Sequence, residues 1–140
     1  MTIKEIQEEI IDEFSMFEDW MERYEYLIEL GKSIPLIEEV HQIDQNLITG
    51  CQSKVWLHSQ INDGKILFTA NSDAILTKGI VALLLRVFND QSPKEILQTD
   101  LFFIDEIGLK EHLSPTRANG LVSMIKQIKL YALAFQSKLS

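Results

Sequence analysis

The sequence contains very little cysteine: Cys51 is the only one among 140 residues. A single thiol cannot form a disulfide within the chain, nor can it alone supply the three or four ligands of a structural zinc or iron–sulfur site. The three histidines, His41, His58 and His112, are scattered, and no two of them lie at the i, i+4 spacing of a helical metal site. The sequence therefore predicts no metal centre and no resident cofactor.

Long hydrophobic runs are also missing. The longest apolar run, residues 80–85, ends at Arg86 and is far shorter than the roughly 20 residues of a membrane-spanning helix. The first residues place Lys4 directly before Glu5, which is not the basic-then-apolar order of a signal peptide. Together with the lone cysteine, these absences predict a cytoplasmic protein that does not associate with membranes.

Basic charge is scarce as a whole and unevenly placed. Acidic residues outnumber basic ones by 21 to 13, giving a formal net charge of −8, which argues against nucleic acid as a partner. Residues 1–50 carry 13 acidic and three basic side chains, whereas residues 51–140 carry eight acidic and ten basic ones. We interpret the acidic half as solvated helices, with a surface that attracts a basic partner as the alternative.

The remaining composition is that of a globular chain. Hydrophobic residues make up 46% and charged residues 24%, which suffices for a sizeable core and excludes disorder as the main state. No internal repeat or linker-like stretch divides the sequence. We therefore expect residues 1–140 to form a single domain.

Two capping-box patterns predict helices near the N-terminus. Thr2 and Glu5 form the first pattern, Ser15 and Glu18 form the second, and Gly31 follows the second apolar face as a stop. These two helices are expected to form a helical hairpin.

The middle of the chain predicts a β-hairpin. Residues 54–61 and 65–70 are rich in β-forming side chains and flank an Asn-Asp-Gly turn. A buried helix is expected from residue 74 to about residue 88, with Asp73 in the simplest interpretation as its N-cap. Residues 33–53 have no sustained period and predict a loop with a short strand near 46–49.

Three further helices are predicted in the C-terminal third. Ser92-Pro93 begins a short one, residues 101–107 form another, and Ser114-Pro115 begins the last. The sum is an α+β fold, in which a small antiparallel sheet packs against helices from both ends of the chain.

The cysteine itself lies in the sequence Gly50-Cys51-Gln52-Ser53, where a loop enters the first strand. Gly50 permits a tight turn or a positive φ, and Gln52 and Ser53 can donate hydrogen bonds to a thiolate or a bound sulfur. A lone cysteine is usually a small buried hydrophobic residue. The polar context makes Cys51 the leading candidate for chemistry.

Three separated blocks resemble the SufE family of sulfur-acceptor proteins. They are Gly-Cys-Gln-Ser-Lys-Val-Trp at 50–56, Ser-Asp-Ala-Ile-x-x-Lys-Gly at 72–79, and Leu-Ser-Pro-Thr-Arg-x-x-Gly-Leu at 113–121. The N-terminal Trp20-x-x-x-Tyr24 is similar as well, so the resemblance extends over nearly the whole chain.

The resemblance implies a SufE/NifU-like fold and a sulfur relay. A family member takes persulfide sulfur from a SufS-type, PLP-dependent cysteine desulfurase onto the cysteine matching Cys51, stimulates that enzyme and delivers the sulfur to an iron–sulfur scaffold complex. Whether the chain is itself an enzyme stays open, and both a monomer and a homodimer are compatible with it. The main alternative is an allosteric activator or binding module for which the thiol is dispensable. A redox-sensing thiol or a cluster scaffold is disfavoured, because there is no second cysteine.

Two matched positions outside the cysteine block are further candidate site residues. Asp73 is expected either to cap its helix or to support the cysteine loop. Arg117 lies at the start of the last helix, where the helix dipole disfavours a cation. This position suggests a specific role, in partner binding or loop support, and a plain surface residue is the alternative. Gly50, Gln52 and Ser53 are expected to support the loop around Cys51.

Overall fold

A computed structural model describes residues 1–139 of the chain. It contains a two-stranded antiparallel sheet and six α-helices, and is an α+β fold as the sequence predicts. The helices are α1 (Ile3–Ser15), α2 (Trp20–Gly31), α3 (Ile75–Phe88), α4 (Pro93–Gln98), α5 (Phe102–Glu106) and α6 (Pro115–Leu139), and the strands are β1 (Val55–Asn62) and β2 (Lys65–Ser72). No helix within residues 1–139 is long and apolar enough to cross a membrane.

Helix α1 begins where the first capping box predicts. The Thr2 hydroxyl accepts from the Glu5 backbone N–H at 3.1 Å, and the Glu5 carboxylate accepts from the Thr2 backbone N–H at 3.0 Å. The second capping box is wrong. Ser15 is the last residue of α1, and Asp19 caps α2 by accepting from the backbone N–H of Glu22 at 2.9 Å.

Helix α3 forms the centre of the fold. Most of its circumference is buried, because α2, β2, α1 and α6 all pack against it. Gly79 lets α2 approach closely: a Cβ there would overlap the carbonyl oxygen of Leu27 and lie 2.6 Å from the Leu27 carbonyl carbon. Helix α2 thus serves chiefly as a packing partner of α3, and α1 packs against both α3 and α5.

The predicted β-hairpin forms around its Asn62-Asp63-Gly64 turn. Val55 pairs with Ser72 at the open end, and Asn62 pairs with Lys65 at the turn. The segment before β1 consists of two 3-10 turns, Glu39–His41 and Asp44–Asn46. In place of the predicted short strand at 46–49, a single antiparallel bridge joins Leu47 to Trp56.

Candidate functional site

The loop that carries Cys51 is closed by backbone hydrogen bonds at its two ends. The N–H of Ile48 donates to the carbonyl oxygen of Val55 at 2.9 Å. The two ends of the loop formed by residues 49–54 therefore lie next to each other. Beyond the loop, the N–H of Asp73 donates to the carbonyl oxygen of Lys54 at 3.2 Å. Since both ends are fixed to the open end of the hairpin, the loop has a defined position.

Gly50 adopts one of the two arrangements that the sequence allows for it, a positive φ. Its φ is +92°, in the left-handed region that side chains other than glycine rarely adopt. A Cβ at this position would also overlap the hydroxyl of Ser123 and lie 3.2 Å from its Cβ. The loop therefore turns against the face of α6 at a place where only glycine fits without strain.

Cys51 is half-buried against α6. Its thiol donates to the carbonyl oxygen of Gly120 at 3.7 Å, which within residues 1–139 is its one hydrogen-bond partner. A Cβ added at Gly120 would lie 3.6 Å from the Cys51 Sγ atom, so the helix and the thiol are in close contact. Burial raises the pKa of the Cys51 thiol, which keeps the unloaded cysteine protonated at higher pH than a free one.

A cleft of about 190 Å³ opens beside this thiol. It brings together four of the residues singled out in the sequence, Cys51, Gln52, Ser53 and Arg117, although Arg117 is 66 positions away from the cysteine. The other lining residues are Thr77, Ile80, Ser114, Thr116, Gly120 and Met124. The lining of the cleft thus combines hydroxyl-bearing residues and one arginine with the apolar residues Ile80 and Met124.

The cleft lies at the first turns of two helices. Thr77 is the third residue of α3, and Thr116 and Arg117 are the second and third residues of α6. The N-terminal end of a helix carries a partial positive charge. These two helix ends and the Arg117 cation all favour an anionic group in the cleft. They therefore act against burial, which disfavours the charged form of the sulfur.

Asp73 does not cap α3, and in this respect the simpler sequence interpretation is wrong. The N-cap position belongs to Ala74, and no side chain caps the helix. The Asp73 carboxylate instead accepts from the backbone N–H of Lys54 at 3.0 Å, while its own N–H donates to the Lys54 carbonyl. The reciprocal pair fastens the C-terminal end of the cysteine loop.

We expect Asp73→Ala to loosen the cysteine loop. Losing one hydrogen bond of this kind costs about 1 kcal/mol of unfolding free energy, and the freed Lys54 end should let a maleimide reach Cys51 faster. The measurement is the alkylation rate together with the thermal midpoint. Asp73→Asn keeps an oxygen acceptor at the same place and should match the unaltered chain. An Asp73→Ala variant with unchanged alkylation and midpoint would show that the contact does not hold the loop.

Several residues of the cleft carry no signal in the sequence that marks them as functional. Thr77 and Met124 occupy no motif position, and Thr116 lies in the block at 113–121 without a predicted role, because helical periodicity predicts only which face of a helix is buried. That this face lies beside Cys51 depends on how α3 and α6 pack around the loop. Gly120 belongs to the matched block at 113–121, where a glycine permits close approach, and the element that approaches it is the cysteine loop.

The histidines lie away from the cleft. The rings of His41 and His58 stack on each other with centroids 3.7 Å apart on the outer face of the sheet. His112 stacks on Trp20 at 3.9 Å. Within residues 1–139 no group of three or more metal-ligating side chains is placed to hold an ion.

Comparison with known proteins gives a family for the whole arrangement. Residues 8–132 match the family described as SufE, an Fe-S metabolism associated domain. An uncharacterized SufE-like protein of Rhizobium meliloti (strain 1021) is 42% identical over 127 residues, which cover 87% of this chain and 91% of the relative. A second uncharacterized SufE-like protein, from Rhizobium etli, is 40% identical over 127 residues, covering 87% and 86%.

A solved structure supports the fold independently. The solution structure of a hypothetical protein from Thermus thermophilus superposes with a TM-score of 0.78 and covers 94% of this chain and 96% of that one. The sequence identity is 19%, so this likeness concerns the arrangement of helices and strands alone.

Proposed function

This chain belongs to the SufE family, and from that premise we propose that it accepts sulfur on Cys51 from a PLP-dependent, SufS-type cysteine desulfurase. The sulfur then passes to an iron–sulfur scaffold complex in the cytoplasm. The observation that carries the proposal is the position of Cys51: the one thiol of the chain lies half-buried beside a polar cleft into which a second sulfur can extend.

The transfer step is a thiol exchange on a persulfide. The Cys51 thiolate attacks the outer sulfur of the desulfurase persulfide, a new S–S bond forms on Cys51, and the old S–S bond breaks to release the desulfurase cysteine as thiolate. No oxidant or reductant is consumed. Because burial raises the pKa of the Cys51 thiol, a partner that provides a base or changes the environment of the loop would favour the step.

The lone cysteine suits a carrier. A persulfide with a second thiol beside it would form a disulfide and release its sulfur as sulfide, and residues 1–140 contain no second cysteine. Shelter by the Gly120 turn of α6 adds to this effect, because it limits the approach of small thiols from solution. The sulfur is thereby kept for a partner that can open or enter the cleft.

The proposal is tested by loading. The chain is incubated with a cysteine desulfurase, PLP and L-cysteine, and its intact mass is measured before and after treatment with a thiol reductant. A gain equal to one or more sulfur atoms, lost on reduction, is the expected result. A chain that gains no sulfur under conditions in which the desulfurase turns over would contradict a carrier role.

Arg117 provides a second prediction. If its charge serves docking of the desulfurase at the cleft, Arg117→Ala should reduce stimulation of the enzyme severalfold to tenfold or more, because an interface arginine is typically worth about 1–2 kcal/mol or more. The thermal midpoint should hardly move, since an exposed surface substitution changes unfolding free energy by about 0.5 kcal/mol at most. Lys126→Ala, a basic residue of α6 outside the cleft, is the matched control. Equal stimulation by the Arg117→Ala variant and the unaltered chain would assign Arg117 to the solvated surface.

A further inference from the structure

Thr77 is an unexplained polar residue of the cleft. It is 5% exposed and is one of only four buried polar or charged residues within the part of the chain described. No hydrogen bond joins its hydroxyl to another residue among 1–139. The hydroxyl is therefore free to donate a hydrogen bond to a group that enters the cleft beside Cys51.

The small part of Thr77 that solvent can still reach lies at the cleft. Within residues 1–139 the only completely enclosed side-chain polar atom without a partner is Nε of Arg23, so the hydroxyl oxygen of Thr77 is not sealed off. Because Thr77 is otherwise buried and lines the cleft, this opening faces the space beside the thiol.

The unloaded thiol does not use this hydroxyl. Cys51 Sγ is hydrogen-bonded to the Gly120 carbonyl on α6, whereas Thr77 lies on α3 and lines the same cleft. A persulfide adds one sulfur at an S–S bond length of about 2 Å. The cleft beside Cys51 is the space open to the added atom, and Thr77 lines that cleft.

The charge of that atom matches its surroundings. A persulfide is more acidic than the corresponding thiol, because the second sulfur spreads the negative charge, and its outer sulfur is therefore largely anionic at neutral pH. Thr77 is in the first turn of the 14-residue helix α3, where the helix dipole favours an anion. A hydroxyl there can donate its proton to the outer sulfur, as hydroxyls do to other charged acceptors.

We infer that Thr77 binds the carried sulfur, by donating a hydrogen bond to the outer sulfur of a Cys51 persulfide. This inference rests on the proposed function, since it presupposes that Cys51 carries sulfur. It goes further by assigning the sulfur a binding residue on a different helix from the cysteine loop.

The test uses a persulfide made without any desulfurase. Cys51 is first converted to a mixed disulfide with an aromatic disulfide reagent. Hydrosulfide then displaces the aromatic thiolate and leaves the Cys51 persulfide: one S–S bond breaks, one forms, and the electrons balance. The unaltered chain is compared with Thr77→Val, which removes the hydroxyl at nearly constant volume, and with Thr77→Ser, which retains it.

We expect Thr77→Val to raise the pKa of the persulfide by about 0.5 to 1. Loss of its sulfur to a small thiol should become about three- to tenfold faster. Both changes correspond to the loss of one hydrogen bond. The near-ultraviolet absorbance of the persulfide anion, followed against pH, gives the pKa. Thr77→Ser should resemble the unaltered chain. The alkylation rate of the unloaded thiol should be the same in all three chains, because Thr77 does not bond to Sγ.

Three outcomes would overturn the inference. They are an unchanged pKa and persulfide lifetime in Thr77→Val, equal losses in the Val and Ser variants, or an equally altered alkylation of the unloaded thiol, which would indicate a change in packing only. Failure of the proposed function is distinguishable from these, because it would appear as a desulfurase that does not load sulfur onto Cys51, while the chemically formed persulfide still reports on Thr77.

Discussion

A Cys51→Ser variant is expected to gain no sulfur when it is incubated with a cysteine desulfurase, PLP and L-cysteine, whereas the unaltered chain gains the mass of at least one sulfur atom. A hydroxyl is far less acidic than a thiol and forms no stable bond to sulfane sulfur under these conditions, so loading should fall below detection. Intact-mass measurement before and after reduction provides the readout. Thermal midpoints of both chains, measured in parallel, establish that the variant is folded.

Ser53→Ala is the matched control for this substitution. Ser53 lies in the same loop and lines the same cleft, but it is not a nucleophile in the proposed step, so this variant should still load sulfur. Loading of the Cys51→Ser variant to the same extent as the unaltered chain would refute the central proposal.

The same pair of proteins separates the relay from its main alternative. An allosteric activator acts through binding, and Cys51→Ser would then still stimulate the desulfurase. A relay requires the thiol, because removal of sulfur from the desulfurase persulfide is what frees the enzyme for its next turnover. Stimulation lost together with loading supports the relay, and stimulation retained without loading supports the activator.

Gly79→Ala is expected to have the largest effect on stability. In most helix interiors this change is favourable by about 1 kcal/mol. Here the new Cβ would overlap the Leu27 carbonyl oxygen, and backbone atoms of α2 cannot move aside as a flexible side chain does. We expect a loss of about 3 kcal/mol of unfolding free energy, at the upper end of typical overpacking costs, equivalent to a fall of about 10 °C in the thermal midpoint.

The control for Gly79 is a glycine without steric neighbours. Gly64, in the hairpin turn, has a φ of +78° and no atom within 4 Å of an added Cβ. Gly64→Ala should therefore cost only the backbone strain of a left-handed residue, about 1–2 kcal/mol. If Gly79→Ala were instead as stable as the parent chain or more so, the close approach of α2 and α3 would be incorrect.

Local signals predicted the elements of the fold well wherever the decisive contacts span few residues. The Thr2 capping box, the Asn-Asp-Gly hairpin turn and the Ser92 and Ser114 helix starts all depend on groups within four positions of one another. Ser15 shows how such a signal fails. Its side chain donates back to the Asp12 carbonyl, and Asp19, four residues later, offers a competing cap of equal chemical quality.

Asp73 shows a local signal overridden by a distant one. Its carboxylate has the chemistry of an N-cap, but the Lys54 N–H, 19 positions earlier, lies across the open end of the hairpin and takes the acceptor. The Asp73 carboxylate could accept from the first turn of α3 or from the Lys54 N–H. The pairing of β1 with β2 decides between them, because it brings Lys54 next to Asp73. From the sequence, Asp73 could either cap α3 or support the cysteine loop, and capping is the simpler interpretation.

The sequence by itself determined the α+β class, the hairpin and the identity of the thiol, because each depends on residue type or short spacing. Only the tertiary structure decided what surrounds the thiol. Gly120 and Arg117 reach Cys51 across more than 60 positions of chain, and Thr77 reaches the same cleft from a third element. Such contacts arise because buried helices must pack around one another to exclude water, and no spacing rule along the chain encodes which side chains then meet.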